Sequence, residues 1–154
     1  MQRTVLFVDD DQNLLLGLAR ALRQQPYRIY TARSAEEGMA VLNAHPVDVL
    51  VTDERMPGLS GSELVVWVAK HYPQVTRIVF TGHATAETAM RAINEGEVYR
   101  YLTKPCDCIA LALAIRKALQ QKERLEDQRC RLEAVAGEGP DARRLGVVPP
   151  GTGG

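Results

Sequence analysis

Five polar residues stand where short apolar runs end. Asp9 and Asp10 follow VLFV, Asp53 follows VDVLVT, Thr81 follows RIVF, and Lys104 follows VYRYLT. If each run is a strand of one parallel sheet, all the carboxyl ends lie along a single edge, where open α/β sheets bind ligands. Three carboxylates, a hydroxyl and an ammonium then converge. Asp9 and Asp10 are adjacent and Asp53 is a third like charge, so mutual repulsion raises the cost of ionising them and calls for a cation. Oxygen ligands suit Mg²⁺, while a lysine and a hydroxyl suit the remaining oxygens of a phosphoryl group. The chemistry expected is phosphoryl transfer to a carboxylate.

The elements that must position these residues alternate in type. Thr4 to Val8 reads as a buried strand, and Asp11 can cap a helix in which Leu14, Leu15, Leu18, Ala21 and Leu22 recur at helical spacing before Pro26. Arg28 to Thr31 alternates as an edge strand would. Ser34 with Glu37 reads as a capping box for a helix through Ala44, and Pro46 punctuates again. Val47 to Thr52 is the most apolar run and is expected at the centre of the sheet. Pro57, Gly58 and Gly61 suggest a loop before a helix from Glu63 to His71. A strand at Val75 to Thr81, a helix at about 84–94, a strand at Val98 to Thr103 and a long helix from about Asp107 complete the series. Right-handed crossovers turn five such pairs into a doubly wound, five-stranded parallel sheet, an α/β fold.

A chain of 154 residues, 45% hydrophobic and 25% charged, supports one core and not two full domains. With 19 basic and 19 acidic residues there is no electrostatic footprint for nucleic acid, so direct nucleic-acid binding is not expected. No apolar stretch reaches the length of a membrane span and MQRTVLFV has no signal-peptide pattern; no membrane association is expected, and the expected compartment is cytoplasmic. Cys106, Cys108 and Cys130 are too few for a disulfide framework or a four-ligand zinc site.

VLFVDDD, VLVTDERMPGLSG, IVFTGH and YLTKP together resemble the receiver domain of two-component response regulators, in order and in spacing, over about residues 3 to 120. The resemblance implies a flavodoxin-like strand order 2-1-3-4-5. It implies that Asp53 is the phosphoacceptor, that Asp10, Asp53 and the backbone carbonyl of Arg55 hold Mg²⁺, and that Asp9 acts through coordinated water. It further implies that Thr81 and Lys104 contact the phosphoryl group, Lys104 being aimed by a cis bond to Pro105, and that Thr81 and Tyr101 form the switch. The implied partners are a histidine kinase or phosphotransfer protein and a downstream protein or output domain. A homodimer through the fourth helix, fifth strand and fifth helix is also implied, and the heptad pattern of the C-terminal helix offers a second route to one. The protein would not be an enzyme in the ordinary sense, but a phosphoacceptor that assists its own phosphorylation and dephosphorylation. Gly82 and Cys106 depart from the family's commonest residues, alanine and an aromatic.

The expected division is a receiver domain over 1–120, a helical extension over 121–136 and a flexible tail over 137–154. Along the last helix Leu111, Ala118, Leu125 and Leu132 recur every seven residues, with Ala114, Gln121, Gln128 and Val135 at the complementary positions; the glutamines leave a coiled coil and a solvated helix both open. Two other readings compete with a phosphorylated receiver. One is a pseudo-receiver that acts as a phosphorylation-independent interaction module. The other is an aspartate-nucleophile phosphatase of the haloacid-dehalogenase type, since Asp9 and Asp11 have its Asp-x-Asp spacing.

Overall fold

The computed structural model describes residues 2–82, 94–95, 98–104 and 108–137, with side chains through 134. The predicted helix at 84–94 falls almost wholly outside the described residues, as do His83, Pro105, Cys106 and the tail beyond 137. The chain divides into two compact units, Met1–Leu119 and Gln120–Gly154.

Five strands form one parallel sheet: β1 (Arg3–Val8), β2 (Tyr27–Ala32), β3 (Val49–Thr52), β4 (Thr76–Thr81) and β5 (Arg100–Thr103). Their order across the sheet is β2-β1-β3-β4-β5. β3 is central and buried throughout, whereas β2 and β5 at the edges keep exposed and half-buried residues. That contrast follows from position, because a strand covered on both faces is apolar along nearly its whole length.

Alternate residues of each strand serve opposite faces. Val5 and Phe7 of β1 and Val49 and Val51 of β3 join Leu15 and Leu18 of the helix α1 (Gln12–Ala21) and its C-cap Leu22. The C-terminal helix α4 (Cys108–Gly137) adds Leu111, Ile115 and Ala118 to that core. On the other face Leu6, Val8 and Leu50 meet Ala35 and Leu42 of α2 (Ala35–Ala44), and Leu64 and Val68 of α3 (Gly61–His71). Helices on both faces of a parallel sheet make the doubly wound, flavodoxin-like architecture expected from the sequence.

The local signals were realised with three differences. Asp11 caps α1 by accepting from the Leu14 N–H at 3.2 Å, but the helix stops at Ala21, well before Pro26. Ser34 accepts from the Glu37 N–H, while the Glu37 carboxylate binds the Arg33 N–H instead of closing the box on Ser34. The full capping box belongs to Ser60 and Glu63, which bond reciprocally at 2.9 and 3.1 Å and start α3 at Gly61, two residues earlier than Glu63. That Ser-x-x-Glu spacing was present in the sequence and was masked by its glycine-rich setting.

Candidate functional site

The register of the sheet decides which polar residues meet. Val8 pairs with Thr52, so Asp9 and Asp53 leave the ends of neighbouring strands side by side. β4 runs further: Thr52 pairs with Val79, and Thr81 pairs with Thr103. Lys104 therefore starts beyond the level of Asp53 and must reach back. Its ammonium does so over the Phe80 ring, 5.5 Å from the ring centroid, a favourable placement for a cation on an aromatic face. It ends 2.7 Å from Asp9 Oδ2 and 3.5 Å from Asp53 Oδ2. A long, unbranched side chain is what that span requires.

Backbone donors orient the two carboxylates. Asp9 Oδ1 accepts from the Asp11 N–H at 2.9 Å, and Asp53 Oδ1 accepts from the Glu54 N–H at 2.8 Å. Both aspartates are buried, while Asp10 is exposed. Oxygen atoms from Asp9, Asp10 and Asp53 all lie within 4.8 Å of one another. Three carboxylates facing one ammonium leave excess negative charge, and the donor set is all oxygen, so the residues present fit a divalent hard cation such as Mg²⁺.

Electrostatics follow the geometry. Burial pushes the Asp9 carboxyl above the ordinary aspartate value, with the Lys104 ammonium and the Asp11 N–H opposing that rise. Burial works against the charge on Lys104, yet its hydrogen bond and attraction to Asp9, joined by Asp53, hold the ammonium above the usual lysine value. Tyr101, half-buried on β5 against Val65, Val79 and Val98, has its phenol raised first by burial and then by the negative charges of Glu54 and Asp53. Its hydroxyl thus senses the acidic edge.

Thr81 is fully buried as the last residue of β4, and its carbonyl accepts from the Lys104 N–H at 2.9 Å. Arg55 is exposed in the loop after β3. Gly82 leaves room for a methyl group, because a Cβ there would meet Lys104 Cβ at 3.8 Å. His45 and His71 are exposed and stack on Tyr30 and Trp67 respectively, each at 4.6 Å between centroids.

Three residues of the site were not singled out for it by the sequence. Phe80 is a buried core residue that also carries the lysine across β4. Glu54 orients Asp53 through its N–H while its carboxylate accepts from the Ser62 hydroxyl at 2.7 Å. Gly61 was read only as a loop former. Its N–H donates to the Glu54 carbonyl at 2.9 Å, and a Cβ there would fall 2.0 Å from the Asp53 carbonyl oxygen. The loop from Asp53 to α3 closes only because that residue has no side chain.

A doubly wound sheet that gathers an aspartate cluster and a lysine at its carboxyl edge defines the class as a receiver-type signalling domain. The chain belongs to the response regulator receiver domain family, whose model matches residues 5–116. Among curated proteins it is 38% identical over 141 residues to the transcriptional regulatory protein GlrR of Escherichia coli, covering 92% of this chain and 31% of that protein. It is 37% identical over 119 residues to the hydrogenase transcriptional regulatory protein HoxA of Cupriavidus necator, covering 77% of this chain and 24% of HoxA. The chain thus spans about a quarter to a third of the length of these relatives. Among solved structures, the signal receiver domain of an HD domain-containing protein from Pseudomonas fluorescens matches with a TM-score of 0.75 and 35% identity, over 80% of this chain and 99% of that one. Among the described residues, no helix is long and apolar enough to cross a membrane.

Proposed function

We propose that this chain is a phosphorylatable receiver, taking a phosphoryl group on Asp53 from the phosphohistidine of a histidine kinase or phosphotransfer protein. The observation that carries the reading is the meeting of Asp9, Asp10 and Asp53 within 4.8 Å, with Lys104 spanning Asp9 and Asp53. An oxygen of the Asp53 carboxylate forms the new bond to phosphorus as the bond from phosphorus to the donor nitrogen breaks. The Glu54 N–H fixes the rotation of that carboxylate. Lys104 answers charge on the transferred group, and Thr81 at the adjacent strand end offers a hydroxyl. Asp10, Asp53 and the Arg55 carbonyl would hold Mg²⁺, with Asp9 acting through its water. Bound there, Mg²⁺ neutralises charge on the phosphoryl oxygens during in-line transfer.

The phosphate then biases Thr81 and Tyr101 toward a second packing, and the altered surface is read by a downstream protein or output domain. A phosphate shifts such an equilibrium only by its differential affinity for the two packings. Residues 1–120 act as the receiver, and 121–136 as its helical extension. Asp11 does not favour a phosphatase centred on Asp9, since its side chain is engaged as the cap of α1.

The test is Mg²⁺-dependent modification by acetyl phosphate, or a shift induced by beryllofluoride, followed by intact mass and NMR with Asp53→Asn as control. Modification absent from Asp53→Asn is expected. A chain that binds Mg²⁺ and gives no response would instead be a pseudo-receiver, and phosphate mapped to Asp9 would indicate the phosphatase.

A further inference from the structure

The helical extension carries an apolar seam whose flanks are of one charge. Within α4, Leu125 and Leu132 are 57% and 71% exposed. They lie one heptad apart, at core position a, with Gln121 and Gln128 at position d. The positions that border such a seam are e and g. Here they are Lys122 and Arg129 on one side, and Arg124 and Arg131 on the other; all four are basic. Glu123, Glu126, Asp127 and Glu133 fall at b, c and f, away from the seam.

This pattern argues against self-pairing. In a parallel pair of copies, g of one helix faces e of the next heptad in the other, which sets Arg124 against Arg129 of the second copy. In an antiparallel pair g faces g and e faces e, and again every flanking contact is between like charges. Glutamine at two of the three d positions, with only Val135 apolar, leaves little apolar gain to offset this repulsion. A lipid surface fits less well, because a helix lying in a membrane interface needs a broad apolar face, and this one offers two leucines separated by glutamine.

We infer that residues 120–137 form a docking surface for an acidic amphipathic helix of a partner protein, one with apolar residues on its seam and carboxylates flanking it. Seam burial supplies contact area, and the flanks supply register and partner choice by opposite charge.

The test titrates the full chain with two labelled synthetic helices of about three heptads, leucine at a and d, one with glutamate and one with lysine at e and g. Fluorescence anisotropy should show the glutamate helix binding at least about tenfold more tightly, a difference that higher salt reduces. Leu125→Asp with Leu132→Asp should abolish that binding. Arg124→Glu, Arg129→Glu and Arg131→Glu together should reverse the preference toward the lysine helix, an exchange that mere misfolding does not produce. Equal affinity for both helices, or no binding of either, overturns the inference. So does a dimer in sedimentation that the leucine substitutions dissociate, or retention on anionic phosphatidylserine vesicles that survives them.

Discussion

Lys104 and Asp9, 95 residues apart in the chain, are joined by an ammonium–carboxylate contact of 2.7 Å across the carboxyl edge of the sheet. The same ammonium stands 3.5 Å from Asp53, so one lysine partly neutralises two buried acids. Lys104→Ala leaves the acid cluster without its cation, and a charge-assisted hydrogen bond of this kind is worth roughly 1–3 kcal/mol. We expect urea unfolding without Mg²⁺ to show a loss of about that size, and added Mg²⁺ to recover part of it. Phosphorylation should persist in this variant, while the phosphate-dependent change in partner affinity is impaired. An unchanged affinity response would refute that role for Lys104.

Asp10 is the exposed member of the cluster. Its replacement removes an oxygen donor without opening the core, so Asp10→Ala should weaken Mg²⁺ binding by about tenfold or more, equivalent to at least about 1.4 kcal/mol, with little change in stability. Mg²⁺ titration followed by NMR or calorimetry checks both parts; an unaltered titration would show that Asp10 is not a ligand.

Two glycines near the site should respond in opposite ways. Gly61→Ala forces a Cβ to within 2.0 Å of the Asp53 carbonyl oxygen, so the loop carrying Asp53 must move. A loss of about 2–4 kcal/mol is expected, typical of overpacking with backbone displacement. Gly82→Ala meets only an ordinary contact with Lys104 at 3.8 Å, and its stability should stay within about 1 kcal/mol of the parent. Equal effects of the two substitutions on the denaturation midpoint would contradict this account.

Tyr27, buried at the start of β2, has a hydroxyl with no hydrogen-bond partner among the described residues. A buried hydroxyl left unpaired costs about 1–3 kcal/mol, so Tyr27→Phe should raise stability by about 1 kcal/mol. Burial also pushes the phenol up to about 12, against the opposing charge of Arg116, from an ordinary value of 10.0. The folded state thus binds this proton more tightly than the unfolded state does. Ionising the phenol is therefore harder in the folded state, a penalty that is absent below about pH 10 and grows as pH rises through about 12. Thermal unfolding between pH 9 and 12 should show a shallower alkaline decline in Tyr27→Phe than in the parent.

Much of the molecule was legible as local pattern. Apolar runs closed by Asp9, Asp53, Thr81 and Lys104 marked the strands and the edge at which they end. Asp11 marked the start of α1, and the unbroken apolar run VLV marked the central strand. These features act through near neighbours, so composition and spacing suffice to reveal them. The true capping box at Ser60 and Glu63 was also written in the sequence, but turn-forming residues around it obscured the start of α3.

By itself the sequence determined the class of fold, the set of polar groups at the sheet edge and the single-signed flanks of the C-terminal seam. Periodicity and charge are properties of residue order, and no long-range contact is needed to establish them. Only the tertiary structure decided how those polar groups are paired. Register offsets Lys104 from Asp53 and sends it over Phe80 to reach Asp9, gives Glu54 the orientation of the Asp53 carboxylate, and brings Gly61 against the Asp53 backbone. Each of these depends on distances between residues remote in sequence, which strand pairing fixes and local pattern does not contain.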